Sequence, residues 1–156
     1  VGSNKDKTNV MRILDQKKVI YRHCFYDDAI VNALDAAALM GKNPAEVFKT
    51  LVTVGRSRAH YVFMVPANKE LDFKKAASAA GEKSLEMIPQ SELLPLTGYI
   101  HGGCSPIGMK KAFKTFIDQS ADSIDVISFS GGRTGSQVQM PLQELQKILP
   151  VTLAEL

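Results

Sequence analysis

The 156-residue chain has no tryptophan, two cysteines (Cys24 and Cys104) and three scattered histidines (His23, His60 and His101), and each scarcity removes a class of function. With no CxxC pair and no close histidine pair, the ligand spacings that build a zinc site are missing, so neither a metal nor a cofactor is expected. A chain that is 45% apolar can fill a core without a disulfide staple, so both thiols are expected free. No apolar run is long enough to cross a bilayer, and the opening VGSNKDKTNV lacks the hydrophobic stretch of a secretion signal; no membrane contact and a cytoplasmic location are expected. Few aromatics and no nucleic-acid-reading module argue against DNA and against base-specific RNA readout.

What the chain has in quantity is small residues and alternating periods. Residues 1–7 are expected to be disordered or a non-native addition beginning VGS, and 8–156 to form a single domain. Thr8 is a candidate cap for TNVMRILDQKK, VIYRHCF follows as a strand, and IVNALDAAALM is a helix with Gly41 at its end. Asn43, Pro44 and Glu46 make a start signal for one helical turn leading straight into the strand KTLVTVG, which pairs antiparallel with AHYVFMVP across GRSR. Asp72 caps FKKAASAA, SLEMI is a short strand, and PQSELLPLTG is a brief helix ended by Pro95 and Gly98. IDVISFS and SQVQM flank the tip GGRTG, and a last helix starts at Pro141. Helices mixed irregularly with antiparallel strands predict an α+β fold: a mixed, largely antiparallel sheet curled into a barrel-like core with surrounding helices.

Three stretches carry candidate chemistry. HGGCSPIGMKK (101–111) brings Gly102, Gly103, Cys104, Ser105 and Pro106 together, followed by Lys110, Lys111 and, a little further on, Lys114. A catalytic thiol needs a base held in reach, and a His101–Cys104 spacing inside a glycine loop fixes no such geometry. The glycines suit backbone work better: without β-carbons, successive N–H groups can approach a phosphate, a carboxylate or a developing oxyanion, while Pro106 sets the loop's shape. The GK[ST] ending of a nucleotide-binding loop is absent. Lys49 begins an apolar strand and shares a face with Leu51 and Thr53, so its ammonium either enters an inner cavity or snorkels at a strand end. Ser130 and Gly131 open SGGRTG, a second donor-rich loop or an ordinary hairpin tip, with Arg133 in it. The net charge of +3, unevenly spread, favours a polyanion at one mouth of the protein.

VFKTLV, GGCSPIGMKK and SFSGGRTG, in that order, resemble the YbaK/EbsC family of aminoacyl-tRNA deacylases, freestanding relatives of the editing insertion of bacterial prolyl-tRNA synthetases. The resemblance runs from about Thr8 to Leu149. It implies a sheet wrapped into a barrel-like shape, deacylation of mischarged tRNA with Cys-tRNA(Pro) as leading substrate, the aminoacyl-tRNA acceptor end as partner, and prolyl-tRNA synthetase as a second candidate partner. It further implies that Lys49, Gly102 and Gly103 are catalytic, and that Phe25, Cys104, Ser105, Pro106, Ser130, Gly131 and Gln137 surround the substrate. The protein then supplies no nucleophile; a cysteinyl substrate's own thiol attacks its ester and leaves as a thiolactone. Phe25 stands where close relatives have a tyrosine and Gln137 where they have an aspartate. The alternative function is a non-catalytic binder of tRNA acceptor ends or of a synthetase.

Overall fold

The computed structural model describes residues 7–156, so the expectation for the first seven falls, Lys7 apart, outside the described residues. Helices start where a side chain satisfies the otherwise orphaned N–H groups of the first turn. The Thr8 hydroxyl accepts from the Met11 N–H at 3.2 Å and opens α1 (Asn9–Gln16). Asn32 accepts from Asp35 at 2.8 Å and opens α2 (Ala33–Met40), three residues later than the apolar pattern suggests, and Asp72 accepts from Lys74 and Lys75 at the start of α3 (Phe73–Ala80). Gly41 ends α2 at φ 67°, a left-handed conformation that glycine adopts without a β-carbon clash. In α4 (Gln90–Thr97) Pro95 does not end the helix as expected; it lies in the last turn, and Gly98 terminates the element. The last helix, α5, is short (Leu142–Gln146). Among the described residues no helix is long and apolar enough to cross a membrane.

Eight strands form one sheet: β1 (Arg22–Phe25), β2 (Val47–Gly55), β3 (His60–Pro66), β4 (Leu85–Met87), β5 (Lys114–Asp118), β6 (Ile127–Ser130), β7 (Ser136–Met140) and β8 (Val151–Ala154). Their order is β1-β7-β6-β2-β3-β5-β8, with β4 also on β2. Four pairings are antiparallel, and β2–β6, β3–β5 and β5–β8 are parallel. This is the expected mixed, mainly antiparallel sheet with helices around it; its path is open, with β1 and β8 at the ends, consistent with a curled core. As expected, a single 3-10 turn (Pro44–Glu46) leads into β2, and β2 pairs with β3.

Strand β2 organises the molecule. Phe48 and Val52 point to the larger core, with Val10, Leu14, Ile107 and Phe129, whereas Leu51 packs on the other side beside the stacked rings of Phe63 and Phe116. Phe48, Phe63, Phe116 and Phe129 are fully buried, each worth about 1.5–3 kcal/mol relative to exposure. Because β3 occupies one edge of β2 throughout, β6 and β4 share the opposite edge: β6 at Val47–Phe48, β4 at Thr53–Gly55. Just past β4 the Ile88 N–H still reaches the Val52 carbonyl at 3.3 Å, but neither strand pairs with Lys49–Leu51, and the sheet parts there.

Candidate functional site

A cavity of about 360 Å³ fills that parting. The strand register explains which side chains meet in it. Val47 lies beside Ser128, Ser130 beside Gln137, and Gln137 beside Cys24, so these residues share a sheet face. Two residues on from Val47 and Cys24, the same face carries Lys49 and Tyr26. The first turn of α2, the β4–α4 corner and the 101–104 loop close the cavity around them.

Of the residues singled out from sequence, Lys49, Gly102, Cys104, Ser130 and Gln137 line this cleft; Phe25, Gly103, Ser105, Pro106 and Gly131 do not. Phe25 is placed on the opposite face by the two-residue alternation of β1, where it packs against the larger core with its ring 5.0 Å from that of His23. Its neighbour Tyr26, on the other face, lines the cleft. Gly103 is committed to structure: its N–H donates to the Ile100 carbonyl at 3.0 Å, and a β-carbon there would strike the Arg133 backbone. Ser105 is buried and its hydroxyl accepts from the Ile107 N–H at 3.3 Å; Pro106 is buried behind it. The Gly131 N–H donates to the Ser136 carbonyl at 2.9 Å. Lys114, grouped with Lys110 and Lys111 in sequence, instead begins β5 with its ammonium 5.7 Å from the Phe116 ring centroid.

Gly102 has φ 86°, a conformation that side-chain-bearing residues rarely adopt, a β-carbon there would stand 2.9 Å from Val31, and its N–H has no protein partner among the described residues. Ser130 is held by accepting from the Gly132 N–H at 3.1 Å. Gln137, buried, accepts from the Ser128 hydroxyl at 2.9 Å. Burial raises the Tyr26 pKa, and the nearby Gln137 amide opposes that rise. Half-buried Lys49 forms no ion pair among the described residues. Burial pushes the Cys104 thiol up to about 12, which keeps it protonated and poorly nucleophilic near neutrality. Both cysteines are free.

Tyr26, Asn32 and Thr50 also line the cleft, although no sequence motif marks them as site residues. The Thr50 hydroxyl oxygen is buried with no hydrogen-bond partner among the described residues, an unspent polar group at the site. Only the register of β1 against β7, which sequence does not state, would have singled out Tyr26. Lys49 and His101 are the basic side chains in the lining, which contains no carboxylate. Among the described residues no group of three or more histidine, cysteine or acidic side chains is placed to hold a metal. The arrangement therefore offers cation and amide donors to negative charge, in a mostly apolar wall, without an activated side-chain nucleophile.

Comparison with known proteins places this geometry. Residues 27–148 match the family model described as an aminoacyl-tRNA editing domain. The chain is 38% identical over 154 residues to EbsC of Enterococcus faecalis, named for Cys-tRNA(Pro)/Cys-tRNA(Cys) deacylase activity, covering 97% of this chain and 94% of that one. It is 29% identical over 101 residues to a proline–tRNA ligase of Shouchella clausii, covering 65% of this chain and 18% of the ligase. A crystal structure described as a trans-editing enzyme for prolyl tRNA synthetase shares the fold with a TM-score of 0.81 at 22% identity, covering 96% of this chain and 98% of that one. The chain belongs to the aminoacyl-tRNA editing domain family.

Proposed function

We propose that the protein is a trans-acting editing hydrolase that removes amino acids from mischarged tRNA, with Cys-tRNA(Pro) as its leading substrate. The terminal aminoacyl ester enters the cleft between β6 and β4, and the rest of the tRNA stays outside, so one domain spanning residues 8–156 suffices. The Lys49 ammonium and the Gly102 amide meet the charge that develops on the ester oxygens. One such preorganised donor is worth about 2.7–4 kcal/mol in an acyl-transfer transition state. For a cysteinyl ester the substrate supplies the nucleophile. Its sulfur bonds to the carbonyl carbon, the bond to the ribose oxygen breaks, and that oxygen leaves with the proton the thiol gave up, releasing a thiolactone. Holding thiol and ester together supplies the remaining advantage by proximity.

The observation that supports this reading is the cleft's composition. Lys49, Gly102, Ser130 and Gln137, from four separate segments, line one cavity whose cysteine is buried and protonated. The test is release of cysteine from Cys-tRNA(Pro) by the intact protein and by Lys49→Ala, with tRNA affinity measured alongside. Lys49→Ala is expected to lose about 100-fold or more in kcat while affinity for tRNA changes little. Turnover by neither protein, with tRNA still bound, would leave a binder of acceptor ends.

A further inference from the structure

The lining of the cleft carries a lysine and no carboxylate, so a substrate's α-nitrogen that enters it is offered no anion. Gln137 lies on this face, 5% exposed, and is a neutral amide whose oxygen already accepts from the Ser128 hydroxyl at 2.9 Å. Other side-chain oxygens are already accepting: Asn32 from the Asp35 N–H at 2.8 Å and Ser130 from the Gly132 N–H at 3.1 Å. Thr50 and Gln90 keep neutral oxygens only. The nearby carboxylates are elsewhere. Asp27 and Asp28, after Tyr26, are exposed and outside the lining, and Asp35 accepts from the Asn32 amide at 2.7 Å on the α2 surface.

An α-ammonium entering this cleft meets Lys49 in a mostly apolar wall that offers neutral oxygens but no anion to offset the repulsion. A like charge within a few ångströms disfavours the charged form of a group, and each tenfold in that preference is one pKa unit. We propose that the cleft selects aminoacyl esters whose α-nitrogen is uncharged, either deprotonated or N-acylated, and that Gln137 sets this preference. The inference rests on the editing reading above and adds the substrate's charge state to it. An ordinary α-amine titrates at about 7.7–8, so the preference is displayed below neutrality and fades above it.

The experiment compares kcat/KM for Cys-tRNA(Pro) and N-acetyl-Cys-tRNA(Pro) at pH 6 and pH 8.5, for the protein and for Gln137→Glu. Each rate is divided by the uncatalysed deacylation rate of the same substrate at the same pH, because acetylation itself alters the thiol and the ester, and the ratio of the two substrates on one protein then cancels any partial loss of folded protein. For the unaltered protein the N-acetyl substrate is expected to lead by about tenfold at pH 6, with the ratio approaching one at pH 8.5. Gln137→Glu is expected to remove or invert the pH 6 preference. A free-amine substrate turned over as fast as the acylated one at pH 6 overturns the inference, and the unaltered protein alone decides this even if the variant does not fold. Hydrolysis of neither substrate overturns the editing reading itself, a result distinct from hydrolysis of both without discrimination.

Discussion

A β-carbon on Gly103 would stand 2.7 Å from the Cα of Arg133, because the two glycine-rich loops meet backbone to backbone. A clash with main chain cannot be relieved by turning a side chain. Gly103→Ala is therefore expected to push the loops apart, lowering stability by about 1–3 kcal/mol and reducing deacylation by displacing Gly102. Thermal unfolding and a deacylation assay check this; an unchanged melting temperature with full activity contradicts it.

Cys104 is 8% exposed and has its pKa raised by burial to about 12. It is expected to react with a thiol reagent only as fast as the protein opens. Cys104→Ala keeps deacylation within about threefold, whereas removal of a true nucleophile costs orders of magnitude. Labelling kinetics and steady-state rates measure the two halves separately.

Tyr26 and Phe25 are adjacent in sequence and on opposite faces of the sheet. Tyr26→Phe, which deletes the cleft's phenol hydroxyl, is expected to lower kcat/KM by about tenfold with a cost of about 1 kcal/mol in stability. Phe25→Leu is expected to act the other way round, lowering stability and sparing turnover. Both are read from paired denaturation and rate measurements.

The contrast between those two neighbours shows what the sequence discloses. Capped helices, the 3-10 turn into β2 and the β2–β3 hairpin are local, and Thr8, Asn43, Asp72 and the turn residues announce them. Strands β5 and β8 carry no such local signal. Four of the five β5 residues are buried, so no polar alternation marks it, and β8 is four residues long. The lining followed the same rule: Lys49 and Gly102 sit in recognisable motifs, while Tyr26 depends on pairing with a strand more than a hundred residues away. Gly103, Ser105, Pro106 and Gly131 share those motifs because they shape and pack the loops that carry the lining.

Asp118 ties the last residues to the sheet: its carboxylate accepts from the Leu156 N–H at 3.1 Å and the Ser120 N–H at 3.2 Å, with Lys69 at 3.7 Å. Burial alone would raise its pKa, but these partners outweigh burial and hold it below the ordinary value. Lys69 is half exposed, so screening leaves the two N–H bonds as the main contributors. A depressed carboxylate stabilises the fold at pH values above its unfolded pKa of about 3.9, and that contribution is lost as pH falls through the folded value. Asp118→Asn is thus expected to cost about 1–3 kcal/mol near neutrality, with the gap to the unaltered protein closing below about pH 4. Denaturant titrations at pH 7 and pH 3 test it; a gap independent of pH contradicts it.

The central claim is that the ester is broken without any protein side chain becoming acylated. Rapid acid quenching of the reaction with radiolabelled Cys-tRNA(Pro), sampled before one turnover is complete, tests this directly. The account predicts label only in tRNA and in released cysteine or its thiolactone, with none on the protein. Label that stays with the denatured chain and chases into product on further incubation would contradict it.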